Sequence, residues 1–368
     1  MSAKKFIFPA LLVSSVAALI YRLFTRAFAE PASAKPVTDC GSYEEIDAYI
    51  KEQMHRLNIP GVSLAIVEGG KIVHLRGFGK ARPGGEAPTP QTPFFIGSLT
   101  KSLTALAVMQ LVEAGKVELD APVQRYLPWF RVADPQASAE MTVRHLLNQT
   151  SGLPMMLGMA DLANLDSRPD AAERQMRALS TLKLTRPVGS RFEYTNANYN
   201  VLGLIIETAS GESYSDYVQR HIFDPLDMSH TFTSKAEAKQ NGLAMGHRYW
   251  FGHPFPAANL SMPPASLPSG QLISSAEDMA HYLIAQLTAM VMRKFSRLLA
   301  LMRCTARRLR STRWAGRLDI MAWVGLARKL TEQESSGTAA SSLTLERSWL
   351  WCRNKRKASF CSLMPTTR

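Results

Sequence analysis

The stretch Phe94–Lys116 constrains the fold most, because an apolar run typical of a strand passes directly into a helix of buried type. The run ends at Ile96, and Gly115 is a typical helix end. Between them apolar residues recur at helical spacing, at Leu99, Leu103, Leu106, Ala107 and Leu111. The sequence therefore predicts a buried helix whose first turn carries two polar side chains, Ser98 and Lys101.

The segments before this helix predict another helix and a β-hairpin. Ser42-Tyr43-Glu44-Glu45 has the pattern of a capping box, and apolar residues at helical spacing continue to about Leu57. The β-rich runs Val62–Val67 and Lys71–Phe78 are separated by Glu68-Gly69-Gly70, a pattern typical of a hairpin.

From about residue 115 to 265 the sequence predicts a helical, loop-rich insertion in which strand signals are scarce. Helices are expected over Thr142–Leu147, Asn198–Ser210, Ser213–Phe223 and Leu272–Leu287. The last of these, capped by Ser274 or Ser275, would return to the sheet.

The charge of the chain is divided at Leu287. The net charge is +13, yet residues 1–287 are balanced, and residues 288–368 hold 17 Lys and Arg against four acidic residues. Three of the four cysteines and four of the six tryptophans also lie in that tail. Two segments of different composition are therefore joined in one chain, and all of the excess positive charge lies in residues 288–368.

The N-terminus has the order of a secretory signal. Two lysines precede the apolar run Phe6–Tyr21, and Ala27-Phe28-Ala29 provides small residues at the spacing of a cleavage site. The run is short for a membrane span of ~20 residues, so residues 1–29 are predicted to be either a signal peptide or a membrane anchor. Residues 30–39 would be a linker. We expect an exported protein that is periplasmic, otherwise extracytoplasmic, or anchored to the membrane.

The sequence carries no motif for a metal or a cofactor. Cys40 is the one cysteine before residue 288, and no His-Glu-x-x-His, P-loop or Gly-rich dinucleotide motif occurs. His145 and His221 each adjoin an Arg on a predicted helix, where a structural role is favoured over a catalytic one. We therefore expect neither metal nor cofactor.

Ser98 and Lys101 have the spacing of a nucleophile and its base. The start of a helix offers unpaired N–H groups that can stabilise an oxyanion. A lysine three residues on shares the helix face, and in a site that excludes water its pKa would fall, so that the amine could accept the serine proton. Because Ser-x-x-Lys also occurs at Ser2 and Ser180, the pair alone favours an ordinary helix start.

A second polar segment, Tyr194-Thr195-Asn196, is predicted in a loop before a helix that begins near Asn198. A tyrosine beside an ammonium group can act as a base or shuttle a proton. An asparagine can bond an amine and a substrate amide through its two ends. Because asparagine is common in turns, this segment alone is better explained as a plain turn.

Together these segments resemble the serine β-lactamase and penicillin-binding-protein superfamily, most closely its class C branch with the related DD-peptidases and esterases. The resemblance covers roughly residues 40–287, through Ser98-Leu99-Thr100-Lys101, residues 142–153, Tyr194-Thr195-Asn196 and residues 268–283. It implies an α/β (α+β) β-lactamase-like fold, with an antiparallel sheet flanked by helices and a helical domain.

The resemblance also implies roles for individual residues. Ser98 would be the acylated nucleophile, Lys101 its base partner, Tyr194 the proton relay and Asn196 an orienting residue. Gln149 stands where such proteins often have histidine, a minor departure.

The resemblance implies a strand beside the serine that carries a Lys/His-x-Gly motif. The sequence after Leu287 contains no such motif. The genetic code allows a test of the reading frame. If each new codon is formed from the last base of one residue's codon and the first two bases of the next, the tail can encode Asn-Gly-Asp-Gly, then Trp-His-Gly-Gly, then two apolar runs. We hypothesise a one-nucleotide frameshift just after Leu287, which resequencing of the gene would decide. The C-terminal strands would then be missing or disordered, and residues 288–368 an aberrant, non-native tail.

These observations predict a serine hydrolase that acts through an acyl-enzyme on an amide, lactam or ester, impaired in this form. Its partners would be a small-molecule or peptide substrate and, through the N-terminus, a membrane, but no nucleic acid. The alternative is a non-catalytic envelope or binding protein that keeps the fold. A third hypothesis, a polyanion-binding tail, predicts DNA retention that depends steeply on salt.

Overall fold

The computed structural model describes residues 43–155, 166, 168, 170–257 and 263–287, and the backbone of 353–354, 357–363 and 366–367. The predicted signal peptide or anchor, the linker and most of the tail lie outside the described residues. Within the described part, no helix has both the length and the apolar content that crossing a membrane requires.

The α-helices of the described part are α1 (Tyr43–Leu57), α2 (Thr100–Glu113), α3 (Val123–Tyr126), α4 (Pro135–Glu140), α5 (Val143–Leu147), α6 (Ala171–Arg177), α7 (Asn196–Ser210), α8 (Tyr214–Val218), α9 (Lys235–Gln240), α10 (Leu267–Gly270) and α11 (Ala276–Leu287). The strands are β1 (Gly61–Glu68), β2 (Lys71–Gly79), β3 (Phe94–Phe95), β4 (His247–Trp250), β5 (His253–Pro256), β6 (Ile273–Ser274), β7 (Arg353–Asn354), β8 (Lys357–Leu363) and β9 (Thr366–Thr367).

The predicted hairpin forms as β1 and β2, which are the first two strands of the four-stranded sheet β2-β1-β8-β7. Strand β1 is buried along nearly its whole length, and its alternate side chains face two helices. On one face it packs against α1, in a cluster of Ile50, Val62, Leu64, Ile66 and Phe78. On the other face it packs against α11, in a cluster of Ala65, Val67, Ala276, Ala280 and Leu283. A sheet between two helices results.

The tail supplies a strand that the sequence did not predict. We expected the C-terminal strands to be missing or disordered, but β8 pairs antiparallel with β1, from Val62↔Leu363 to Glu68↔Lys357. That expectation is therefore wrong for residues 357–363. The physical reason is that the free edge of β1 offers backbone N–H and C=O groups, which any extended segment can pair with whatever its side chains.

The helical part surrounds α2 and α7, which share the largest apolar cluster of the described residues. Gly203 lets α7 approach α10 closely, because a Cβ atom at that position would lie 2.3 Å from Cγ of Pro268. Strand β3 pairs with β6, and the N–H of Ile96 donates to the carbonyl of Leu272 at 3.0 Å. The starts of α2 and α7 and the segment around α10 thereby meet at one place.

Several element boundaries differ from the prediction. The hairpin β4–β5 was missed within the helical insertion. The segment before α11 is strand β6 instead of helix, and Ser275 caps α11 by accepting from the N–H of Asp278 at 3.1 Å. Helix α7 begins at Asn196, two residues early, because the Thr195 side chain accepts from the N–H of Ala197 as its cap.

Candidate active site

Ser98 lies in a 3₁₀ turn, Gly97–Leu99, between β3 and α2. Gly97 has φ +53°, a left-handed conformation that glycine adopts without strain and that turns the chain out of the strand. The Ser98 side chain is half-buried. Since the first N–H groups of a helix have no acceptor within it, the backbone at Ser98 can donate to a negative charge beside its hydroxyl.

Lys101 is enclosed by protein, with 1% of its surface exposed. Its Nζ lies 3.3 Å from Ser98 Oγ and 2.7 Å from Asn196 Oδ1, and it also donates to the backbone carbonyl of Ser269. Burial penalises the charged amine and lowers the pKa of Lys101 to about 7. Near neutral pH a large fraction of this lysine is therefore uncharged.

The three contacts of Nζ suit a base. A neutral amine has two N–H donors and one lone pair. If the donors serve Asn196 Oδ1 and the Ser269 carbonyl, the lone pair faces the remaining neighbour, the hydroxyl of Ser98. The nearby Tyr199 ring, 5.7 Å from Nζ, adds no counter-charge, because burial raises the pKa of this phenol far above its usual value.

Tyr194 completes the group. Its hydroxyl lies 2.7 Å from Ser98 Oγ and 3.3 Å from Asn196 Oδ1, and its ring centroid lies 4.8 Å from Lys101 Nζ. The structure thus brings together all four residues that the sequence singled out. It corrects one detail, since Asn196 is the first residue of α7 and not part of the loop before it.

Two supporting groups were missed by sequence reasoning. One is the Ser269 carbonyl, which a Pro-Ser-Gly turn signal at 268–270 hints at but cannot assign to Lys101. The other is Gln149, at the position where the family often has histidine. Its Oε1 accepts from the N–H of Thr195 at 3.0 Å and from Asn198 Nδ2 at 2.6 Å, so it holds both sides of the turn that presents Tyr194 and Asn196.

Removing the acceptor at Gln149 should therefore lower activity although none of the four site residues is changed. We expect Gln149→Leu to lower kcat/KM about tenfold or more, because Thr195 and Asn198 are fully buried and their donors would be left unpaired, at about 1–3 kcal/mol each. Gln149→Glu keeps an acceptor oxygen and removes only Nε2, which has no partner among the described residues. Its kcat/KM should therefore fall less than that of Gln149→Leu. Equal kcat/KM values for Gln149→Leu and the wild type in steady-state assays would refute this role.

The two histidines set aside in the sequence have structural contacts. His145 belongs to the cap of α5, where its Nδ1 accepts from the N–H of Thr142 at 3.2 Å. His221 lies 3.0 Å from the carboxylate of Glu212. In the part of the chain that the structure describes, no three His, Cys, Asp or Glu side chains converge as a metal site would require.

The chain is similar in sequence to proteins of known family. The sequence profile of the Beta-lactamase family matches residues 46–356. Protein flp of Staphylococcus aureus is 32% identical over 251 residues, 67% of this chain and 49% of that protein. Penicillin-binding protein 4 of Amycolatopsis lactamdurans is 32% identical over 229 residues, 61% of this chain and 58% of that protein. The chain spans about half the length of the curated relatives it matches.

Solved structures give the same picture of the fold. An octameric penicillin-binding protein homologue from Pyrococcus abyssi superposes with a TM-score of 0.57 at 32% identity, covering 67% of this chain and 56% of that one. A class C beta-lactamase mutant superposes with a TM-score of 0.57 at 24% identity, covering 67% and 64%, a likeness that concerns the fold alone. The predicted fold, an antiparallel sheet flanked by helices with a helical domain, is confirmed.

Proposed function

This chain belongs to the Beta-lactamase family of serine hydrolases, and from that premise we propose that it hydrolyses an amide, lactam or ester through an acyl-enzyme on Ser98. The observation that carries the proposal is the buried amine of Lys101, 3.3 Å from the Ser98 hydroxyl. A lysine buried without need costs stability, whereas a neutral amine beside a hydroxyl can act as its base.

The proposed reaction follows from the contacts of three side chains. Ser98 Oγ attacks the carbonyl carbon of the substrate while its proton passes to Lys101 Nζ, and the Ser98 N–H faces the oxyanion. Collapse of the tetrahedral adduct breaks the C–N or C–O bond. The proton then leaves Lys101 Nζ and reaches the departing atom by way of the Tyr194 hydroxyl, which stands 2.7 Å from Ser98 Oγ and so beside the bond that breaks; Tyr194 thus acts as relay.

Deacylation repeats these transfers with water. The water attacks the acyl ester, gives up one proton to the same relay and releases a carboxylic acid, and the proton restores the Ser98 hydroxyl. Asn196 orients the amine throughout, because its Oδ1 accepts from Lys101 at 2.7 Å. No cofactor enters these steps. The substrate would be a small molecule or a peptide.

The rival function is a non-catalytic binding protein that keeps the fold. It is favoured by the sequence of the tail, where no Lys/His-x-Gly motif stands in place to supply a second oxyanion donor. Loss of one such donor costs on the order of 10²–10³ in rate. The frameshift after Leu287 stays a prediction, as do export and a membrane contact of residues 1–29.

Covalent labelling separates the two functions. The 368-residue chain and a frame-corrected chain are each incubated with a fluorescent penicillin and with a fluorophosphonate. Peptide mass spectrometry then locates the adduct. Stoichiometric modification at Ser98, followed by turnover of a lactam, D-peptide or aryl ester, supports the hydrolase. A frame-corrected chain that folds but takes up neither label supports the binding protein instead.

A further inference from the structure

The hairpin β4–β5 exposes an unusual set of apolar side chains. The exposed fractions are 67% for Trp250, 85% for Phe251 and 53% for Phe255. These three belong to one short hairpin, and the rings of Trp250 and Phe251 meet edge to face at 5.4 Å. Contiguous exposed aromatic surface of this kind marks an interaction site more often than chance exposure.

The register of the hairpin gives it two unlike faces. Arg248 lies opposite Phe255, and Trp250 lies opposite His253. Since opposite and alternate residues of a hairpin share a face, these four side chains stand on the same side, and all are exposed. The other side is turned to the domain, where Tyr249 donates to the carbonyl of Asn58 at 2.7 Å. We call the exposed side, with Phe251 at its tip, the aromatic face.

The tip of the aromatic face is conformationally costly. Phe251 has φ +47° and Gly252 has φ +80°, so both central residues of the turn are left-handed, a conformation that favours Asn-Gly. A bulky residue with positive φ is strained. In the isolated domain the strain is not offset by burial of the ring, whereas a contact outside the domain that buries the ring would offset it.

The surrounding charge suits an anionic surface. Residues 246–257 contain Arg248 and two histidines but no Asp or Glu. The adjoining end of α1, joined to the tip by a 3.1 Å bond from Asn58 Nδ2 to the Gly252 carbonyl, exposes Arg56 and Leu57. Exposed aromatic rings mixed with arginine are typical of segments that lie in the headgroup layer of a membrane.

We propose that the aromatic face inserts into the headgroup layer of an anionic lipid bilayer. Three aromatic side chains bury about 150–250 Å² each, which suits shallow insertion but falls below the ~800 Å² per partner of a stable protein interface. Arg248 and Arg56 would lie beside lipid phosphates. This contact is separate from the N-terminal segment 1–29 and does not depend on the proposed hydrolase.

Quenching of Trp250 fluorescence tests the proposal on the full chain. Vesicles contain brominated lipid, with either phosphatidylglycerol or phosphatidylcholine alone, and the difference between wild type and Trp250→Phe isolates the signal of this residue. Because the readout is local, attachment through residues 1–29 cannot produce it. We expect quenching on the phosphatidylglycerol vesicles and about a tenfold weaker insertion equilibrium for Phe251→Asn.

Phe251→Asn separates stability from membrane contact, because asparagine suits the left-handed position. The midpoint of thermal unfolding should be unchanged or higher, while the contact with lipid is lost. Val73→Thr, at an exposed apolar position of β2, is the control and should leave quenching unaltered. The proposal is overturned by an unquenched Trp250, by equal quenching in Phe251→Asn, or by equal quenching on uncharged vesicles. Lipid-free self-association that buries Trp250 would overturn it as well.

Discussion

Replacing Ser98 by alanine will abolish covalent labelling by a fluorescent penicillin or a fluorophosphonate. The hydroxyl is the group that both Lys101 Nζ and the Tyr194 hydroxyl contact, at 3.3 and 2.7 Å. For a substrate that the active form turns over, kcat should fall by a factor on the order of 10⁶, to the level left by binding and oxyanion contacts. In-gel fluorescence and steady-state kinetics measure the two effects.

Ser180 provides a matched control, because it also precedes a lysine by three residues but both side chains of that pair are exposed. Ser180→Ala should label and turn over like the wild type. Ser98→Ala should keep its unfolding midpoint, since a half-buried hydroxyl is all that is removed. Labelling that persists in Ser98→Ala, or an adduct mapped to another residue, contradicts the assignment.

Replacing Lys101 by methionine should lower the acylation rate by about 10²–10⁴-fold, the usual contribution of a positioned base. Methionine fills the buried space, but it removes the amine that donates to Asn196 Oδ1 and to the Ser269 carbonyl in the wild type. The rate of label incorporation is the measurement. Lys183→Met, the exposed counterpart, should have no effect, and a Lys101→Met protein that acylates at the wild-type rate would refute the role of the amine.

The acylation rate of the wild type should depend on pH through this amine. Because burial lowers the pKa of Lys101 to about 7, the neutral base is lost as pH falls below that value, and the rate should drop about tenfold per pH unit. Above pH 8 the rate should reach a plateau. A profile that stays flat between pH 5 and 8 would show that an uncharged Lys101 is not required.

The same pKa shift makes a separate prediction about stability. Between pH 7 and the ordinary lysine value of 10.5 the unfolded chain keeps a proton on Lys101 that the folded chain has released. The unfolded state therefore binds more protons, and the lysine contribution to the free energy of unfolding rises by about 1.4 kcal/mol per pH unit across that window. The difference between wild type and Lys101→Met in denaturant unfolding should show this slope.

Local patterns predicted much of the domain. The helices that begin at Tyr43 and near Ser98 and the hairpin of β1 and β2 lie where the periodicity of apolar residues places them. The closeness of Ser98 and Lys101 was predicted from their spacing, since residues three apart share a face of a helix. The boundary errors, at Asn196 and Ser274, arose where a single side chain decides the cap of a helix.

Contacts between distant segments could not be predicted in this way. The hairpin β4–β5 was missed because its aromatic residues lie in a polar, proline-containing stretch with little apolar alternation. Strand β8 was missed because backbone pairing with β1 does not require a family-like side-chain pattern. Gln149 was underrated because its role depends on donors of Thr195 and Asn198, which packing alone brings to it.

The sequence by itself determined the family and predicted the proposed nucleophile and its base partner, because these depend on motif order and on a spacing of three residues along a helix. Only the tertiary structure showed that the Lys101 amine is buried beside the Ser98 hydroxyl, where its pKa is lowered. Tyr194 and Ser269 stand 96 and 168 positions from their partners in the site. The desolvation that lowers the pKa of Lys101 exists only after these segments have packed around it.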